Sequence, residues 1–239
     1  MNYRNKKRIY RKLTKKGFKP THIAEVGVYH PETSNLYDFI IDDIRTTLVE
    51  PDPKSIKLIK EFFGNRPNVT LHEVAIYERS GKITLAQREA STFVSELESS
   101  PAIINDEYRV ATQDVFEVQA KLFSEIDDGT IDLLSVDVEG SEWFVIQNLV
   151  SRPAVISLET HGAMYTNPKM KEINSWLQNN NYIAWYKDRS DTVYVKKGSI
   201  NITLADRISL TLYEIYLFVR KNRKALKKKI KSVFTHGKS

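Results

Sequence analysis

The chain has 239 residues and no cysteine. That length suits one α/β domain with a sizeable core, and the missing thiols exclude a disulfide framework, a thiolate metal site and a cysteine nucleophile. The net charge of +6 belongs to the ends: residues 1–19 and 220–239 each carry nine Lys or Arg and no acid, so the body between holds 18 basic and all 30 acidic residues, a net of −12. An acidic body is a poor match for a polyanion lying across it, whereas basic ends suit a membrane surface or a nucleic acid. No apolar stretch follows the basic N-terminus in the manner of a signal peptide, and no run of about 18 apolar residues reads as a membrane span. The expected location is cytoplasmic, with the ends free to touch a membrane peripherally.

Residues 3–16 read as a basic helix, and HIAEVGV (22–28) as a short buried strand. A helix over 34–41 is expected with Ser34 as its N-cap, then a strand TTLVE (46–50), then a helix introduced by Pro51 and Pro53 and running to Phe63. VTLHEVAI (69–76) reads as one further strand, and KITLA (82–86) as an extra strand behind the Ser80-Gly81 turn. Residues 87–113 show no period and are expected to form a lid or substrate loop. FEVQA (116–120) and IDLLSVDV (131–138) read as strands, EGSEWFVIQNL (139–149) as a helix, AVISLE (154–159) as a strand and MKEINSWLQNN (170–180) as a helix. NYIAWY and TVYVKK, joined by KDRSD, close the body as a hairpin. Strands alternating with helices from residue 22 to about 185 imply a mostly parallel sheet covered on both faces.

Acids cluster where predicted strands end: Glu25 at the first, Glu50 at the second, Asp137 and Glu139 after 131–138, and Glu159 with His161 after 154–158. Ligands of open α/β sheets bind outside those carboxyl ends, so these residues should rim one crevice. An acid ending the second strand can accept hydrogen bonds from both hydroxyls of a ribose, which makes Glu50 a ribose acceptor. The first loop, AEVGVYHPETS (24–34), has only Gly27 where a phosphate cradle wants several glycines. A ribose acceptor without a phosphate loop points to a nucleoside free of phosphates, such as S-adenosylmethionine (SAM), whose amino group Glu25 would help to hold.

AEVGV (24–28), LVEPDP (48–53), HEVAI (72–76), IDLLSVDVEGSEW (131–143) and ISLETH (156–161) together resemble the FkbM-type SAM-dependent methyltransferases over residues 22–197. The most specific is the apolar strand delivering Asp137, Glu139, Gly140 and Glu142. One departure is visible: Glu25 stands where the family's first motif has Asp, and that motif's second glycine is absent. The resemblance implies a class I methyltransferase fold, Rossmann-like, with seven strands in the order 3-2-1-4-5-7-6 and the seventh antiparallel. The domain would span 21–199, between a basic arm (1–20) and an amphipathic basic helix (200–239). It implies SAM as cofactor, held by Glu25, Gly27, Val28, Tyr29, Glu50, Pro51, Val74, Ala75 and Asp137, and O-methylation of a hydroxyl on a glycan or small metabolite. A hydroxyl needs a base or a metal to lower its pKa. His161, Asp137 and Glu139 are the catalytic candidates; Asp137, Glu159 and His161 form a candidate Mg²⁺ or Mn²⁺ set. Glu142 reads equally as a first-turn acid favoured by the helix dipole.

ISLTLYEIYLFVRKNRKALKKKIKSVF (208–234) is apolar, then strongly basic, and reads as a helix. Three readings stay open for it: packing on the body or on a second subunit of a homo-oligomer, lying on an anionic membrane, or binding nucleic acid, which the acidic body disfavours. For the whole chain the alternatives to a methyltransferase of hydroxyls are a non-catalytic binding protein on the same fold and an RNA methyltransferase.

Overall fold

The computed structural model describes residues 5–64, 66–88, 91–94, 115–160, 166–188 and 190–236. Its strands are β1 (His22–Val26), β2 (Arg45–Val49), β3 (Val69–His72), β4 (Ala75–Ile76), β5 (Gly81–Arg88), β6 (Ser91–Val94), β7 (Val115–Lys121), β8 (Leu133–Val136), β9 (Val155–Glu159), β10 (Tyr182–Asp188) and β11 (Asp191–Lys196). Its helices are α1 (Arg8–Lys15), α2 (Tyr37–Ile41), α3 (Pro53–Phe63), α4 (Glu142–Gln147), α5 (Met170–Asn179) and α6 (Leu204–His236).

Seven strands make the central sheet, ordered β3-β2-β1-β8-β9-β11-β10. Only the pairs that β11 makes, with β9 and β10, are antiparallel. Counted within that sheet the order is 3-2-1-4-5-7-6 with an antiparallel seventh strand, as the family resemblance implies. Parallel neighbours need crossovers: α2 lies between β1 and β2, α3 between β2 and β3, and α4 between β8 and β9. α3 starts cleanly because Asp52 accepts from the amide of Ser55 at 3.0 Å and Pro53 occupies the first turn.

The pleat sorts the core onto two faces. Ala24, Val26, Leu134, Val136, Ile156 and Leu158 face α4 and α5. Ile23, Leu48, Leu133 and Val155 face α1, α2 and α3, where Ile9, Leu13, Phe39, Ile40 and Phe63 cover them. α1 is therefore part of the core and not a free arm. Cations in and next to it are paired: Arg8 meets Asp188 at 3.0 Å and Lys16 meets Asp206 at 2.6 Å.

A second sheet, ordered β4-β7-β5-β6, packs on the α4 side through Ala75, Ile76, Ile83, Leu85 and Ala120. It corrects the expectation of one strand over 69–76: the chain leaves the main sheet after His72 and pairs instead with β7 at Ala75. Residues 91–94, expected to be irregular, form β6 against β5; the rest of the expected lid, 95–113, lies outside the described residues. The helix expected at 34–41 begins only at Tyr37, after a 3₁₀ turn at Pro31–Thr33. Ser34 is not its N-cap; the Ser34 hydroxyl is given to Glu25. α4 starts three residues later than expected because Glu139 (φ 52°) and Gly140 (φ 104°) turn the chain through left-handed backbone first.

Candidate functional site

The first loop is shaped by contacts within the chain. The Gly27 amide donates to the Val49 carbonyl at 3.0 Å, with φ at 83°. A Cβ there would lie 1.8 Å from the Asp137 carbonyl oxygen, so glycine is required by the close approach of two strand ends. Immediately after, the amides of Val28 and Tyr29 both donate to Glu50 Oε2 at 2.9 Å, and Asp52 donates to Oε1 at 3.0 Å. Tyr29 takes φ 55° to make this turn. The two successive amides that a phosphate loop would offer to its ligand are thus used on an internal carboxylate. Of the roughly four acceptor directions of a carboxylate, Glu50 keeps about one, on Oε1. Burial raises its pKa, and the three amides lower it.

Glu25 is equally enclosed. It accepts from the Ser34 hydroxyl and from the Asn35 amide at 2.7 Å, and burial pushes its pKa up to about 7.

Register explains why the remaining acids meet. Glu25, Ser135, Ser157 and Val193 lie side by side across β1, β8, β9 and β11. One pleat repeat further on, Asp137, Glu159 and Asp191 form a second row on the same face, Asp191 paired with Glu159 in the ladder. Oxygens of Asp137, Glu139 and Glu159 come within 4.8 Å of one another. Asn35 reaches across to Ser135 at 3.3 Å and Asp191 at 3.2 Å. Burial, then the charges of the neighbouring acids, raises Asp137 to about 7 and Glu159 to about 12; Asp191 rises to about 7 by burial first and the Asp137 charge second. Glu159 Oε2 is buried and has no hydrogen-bond partner among the described residues, and the same holds for Ser141 Oγ.

Glu142 is structural. Its carboxylate folds back to accept from the amides of Val138 and Gly140 at 3.2 Å each and from the Asn167 side chain. Fully buried, it is raised to about 8. It clamps the 138–140 turn from the start of α4.

A cavity of about 310 Å³ opens beside these groups. Glu25, Gly27, Val28, Tyr29, Glu50, Pro51, Val74, Ala75 and Asp137, expected from sequence to hold one ligand, all line it, together with Glu139. Ile76 and Leu85 of the second sheet add an apolar wall. Asn35 and Ser141 also line it and escaped the sequence reading, as did Asp191 behind them. Asn35 and Ser141 carry no signal beyond residue type. Asp191 had one: the expected antiparallel last strand brings its amino end to the edge where the other strands end. His161 lies outside the described residues.

A 3-2-1-4-5-7-6 sheet with this cavity at the carboxyl ends of its central strands defines a class I methyltransferase fold. The family model described as the methyltransferase FkbM domain matches residues 23–184, and the chain belongs to that family. No curated protein matches it. Among solved structures, it is similar to precorrin-6y C5,15-methyltransferase from Geobacter metallireducens GS-15, with 14% identity, 77% of this chain and 84% of that chain covered, and a TM-score of 0.38. A SAM-dependent methyltransferase from Aquifex aeolicus gives 8% identity, 78% and 87% coverage and a TM-score of 0.39. The SAH-bound methyltransferase PaMTH1 of Podospora anserina gives 13%, 77%, 75% and 0.39.

Proposed function

We propose that this methyltransferase uses SAM to methylate a hydroxyl on a glycan or a small metabolite. The observation that carries the cofactor is the pairing of a first loop whose amides are already satisfied with a carboxylate row short of positive charge. A phosphate finds the Gly27, Val28 and Tyr29 amides already committed, whereas a ligand with a sulfonium and an ammonium group supplies the charge that the row lacks. The residues fit such a group: Glu50 Oε1 for a ribose hydroxyl, Val74, Ala75, Ile76 and Leu85 for a flat base, and Glu25 and Asp137 for the cationic end. When bound, SAM supplies an activated methyl group.

The chain's own work is orientation and proton handling. The acceptor hydroxyl must lose its proton as its oxygen takes the methyl group. Asp137, raised to about 7 in the ligand-free protein and brought down by a bound cation, would be ionised at neutral pH and so able to receive that proton, with Glu139 beside it. His161 is the further base that the sequence offers. A second reading is favoured by the unpartnered Glu159 Oε2: Asp137, Glu139 and Glu159 would hold Mg²⁺ or Mn²⁺, hard ions suited to carboxylate oxygens, and the ion would lower the pKa of the acceptor hydroxyl.

Calorimetric titration with SAM and S-adenosylhomocysteine, with and without magnesium, tests both readings. Micromolar binding is expected. Asp137→Asn should weaken binding by no more than about tenfold but cut methyl transfer to an accepted glycan or metabolite by about a hundredfold or more. A folded protein that binds neither compound would leave a non-catalytic binding protein. Magnesium that changes neither binding nor turnover would remove the metal.

A further inference from the structure

α6 is 33 residues long, or about 50 Å, yet over residues 204–223 only part of one face meets the body. Leu210, Tyr213 and Leu217, spaced three and four apart, are half-buried where the helix lies along β10. On the opposite side, Leu204, Ile208, Leu212, Ile215 and Val219 follow the same spacing and are 73%, 52%, 62%, 54% and 43% exposed. Phe218, at 68%, flanks them. A globular protein scatters single exposed apolar side chains, but a continuous stripe along a helix marks a surface that is covered by something.

Charge says what covers it. From Ile215 to His236 the helix holds eight Lys or Arg and no acid. Lys6 and Arg8 pair with Asp42 and Asp188 of the body, and Lys16 with Asp206 in the first turn of α6, whereas the sequence of α6 from Ile215 onward holds no acid to offset its own basic run. Lys187–Glu214 at 3.2 Å and Lys221–Thr166 at 3.3 Å show the helix travelling along β10 and past the residues that follow β9. The basic segment therefore leaves the body at the same edge of the sheet as the cavity. Two such helices side by side and parallel would set their cationic ends against each other, which argues against a parallel second copy, whereas an anionic surface meets the basic run directly. No described helix is long and apolar enough to cross a bilayer.

We propose that α6 lies on the surface of an anionic lipid bilayer, its outward stripe seated at the acyl–headgroup boundary and its basic segment among the headgroups. The inference does not depend on the methyl-transfer reading.

Flotation of the full-length protein tests it, with vesicles of phosphatidylcholine alone and of an equimolar mixture with phosphatidylglycerol. Binding to the mixed vesicles only is expected, weakening as salt is raised. The double variant Ile208→Glu, Ile215→Glu alters two solvent-exposed positions, so it should keep the wild-type circular dichroism and melting curve while its partition falls by about tenfold or more. A failure to float with anionic vesicles, or flotation that the double variant leaves unchanged, overturns the proposal. So does RNA retention without vesicle binding, or a wild-type dimer that the double variant converts to monomer while neither floats.

Discussion

Gly27 and Glu50 show how little freedom the first loop has. At Gly27 the backbone is left-handed and the space for a Cβ is taken by the Asp137 carbonyl. Gly27→Ala must therefore separate β1 from β8 or twist the loop; it should cost about 3 kcal/mol or more, read as a lower urea midpoint with an unchanged slope. Glu50→Gln keeps the volume but replaces one acceptor with an amide donor that faces donors. SAM affinity should fall between about tenfold and a hundredfold by calorimetry, since the loop brace and the proposed ribose contact would be lost together. Unchanged affinity would show that Glu50 braces the loop and nothing else. The type and place of both residues could be read from the chain, but what they do could not. An acid closing the second strand looks the same whether it awaits a ribose or already holds three amides. The Asn35 bridge, the Ser141 hydroxyl and the return of Glu142 onto its own loop depend on side-chain direction, which spacing alone does not supply.

Among the elements, those of the main sheet were legible because each apolar run is bounded by turn chemistry and helices separate most of its strands. The second sheet was hidden by continuity. VTLHEVAI reads as one strand since its apolar residues never lapse, yet β3 and β4 belong to different sheets, the switch lying at Glu73 and Val74. The switch matters to the site because β4 and β5 bring Ala75, Ile76 and Leu85 to the cavity. Leu85 is both core and wall, at 2% exposure. Leu85→Ala should lower stability by about 2–4 kcal/mol in chemical denaturation. It should also weaken SAM binding several-fold at a temperature where the variant stays folded, whereas an equally destabilising change remote from the cavity, Leu13→Ala in α1, should leave binding alone.

For the molecule as a whole, the buried acids set how stability follows pH. Glu25, Asp137 and Asp191 are raised to about 7 and Glu142 to about 8, against roughly 4 in an unfolded chain. The folded state then holds protons that the unfolded state has released. Their contribution is fully present below about pH 4 and is lost as pH rises through about 7–8, each proton costing up to about 1.4 kcal/mol per pH unit. The melting temperature of the ligand-free protein should therefore fall from about pH 5 to about pH 8. Asp191→Asn should flatten that slope, and saturating SAM should flatten it further. A melting temperature that rises over the same interval would contradict this account of the acid row.

The pairing of Glu50 with the Val28 and Tyr29 amides also decides which adenosine compounds are refused. ATP and the dinucleotide coenzymes share the base and the sugar of the proposed ligand, SAM. Their polyanionic tails would be drawn toward carboxylates, with the neighbouring amides already committed. Competition by ATP should accordingly be negligible at concentrations where SAM saturates the site, without any residue set aside for exclusion. Discrimination would come from a loop that satisfies itself before a ligand arrives.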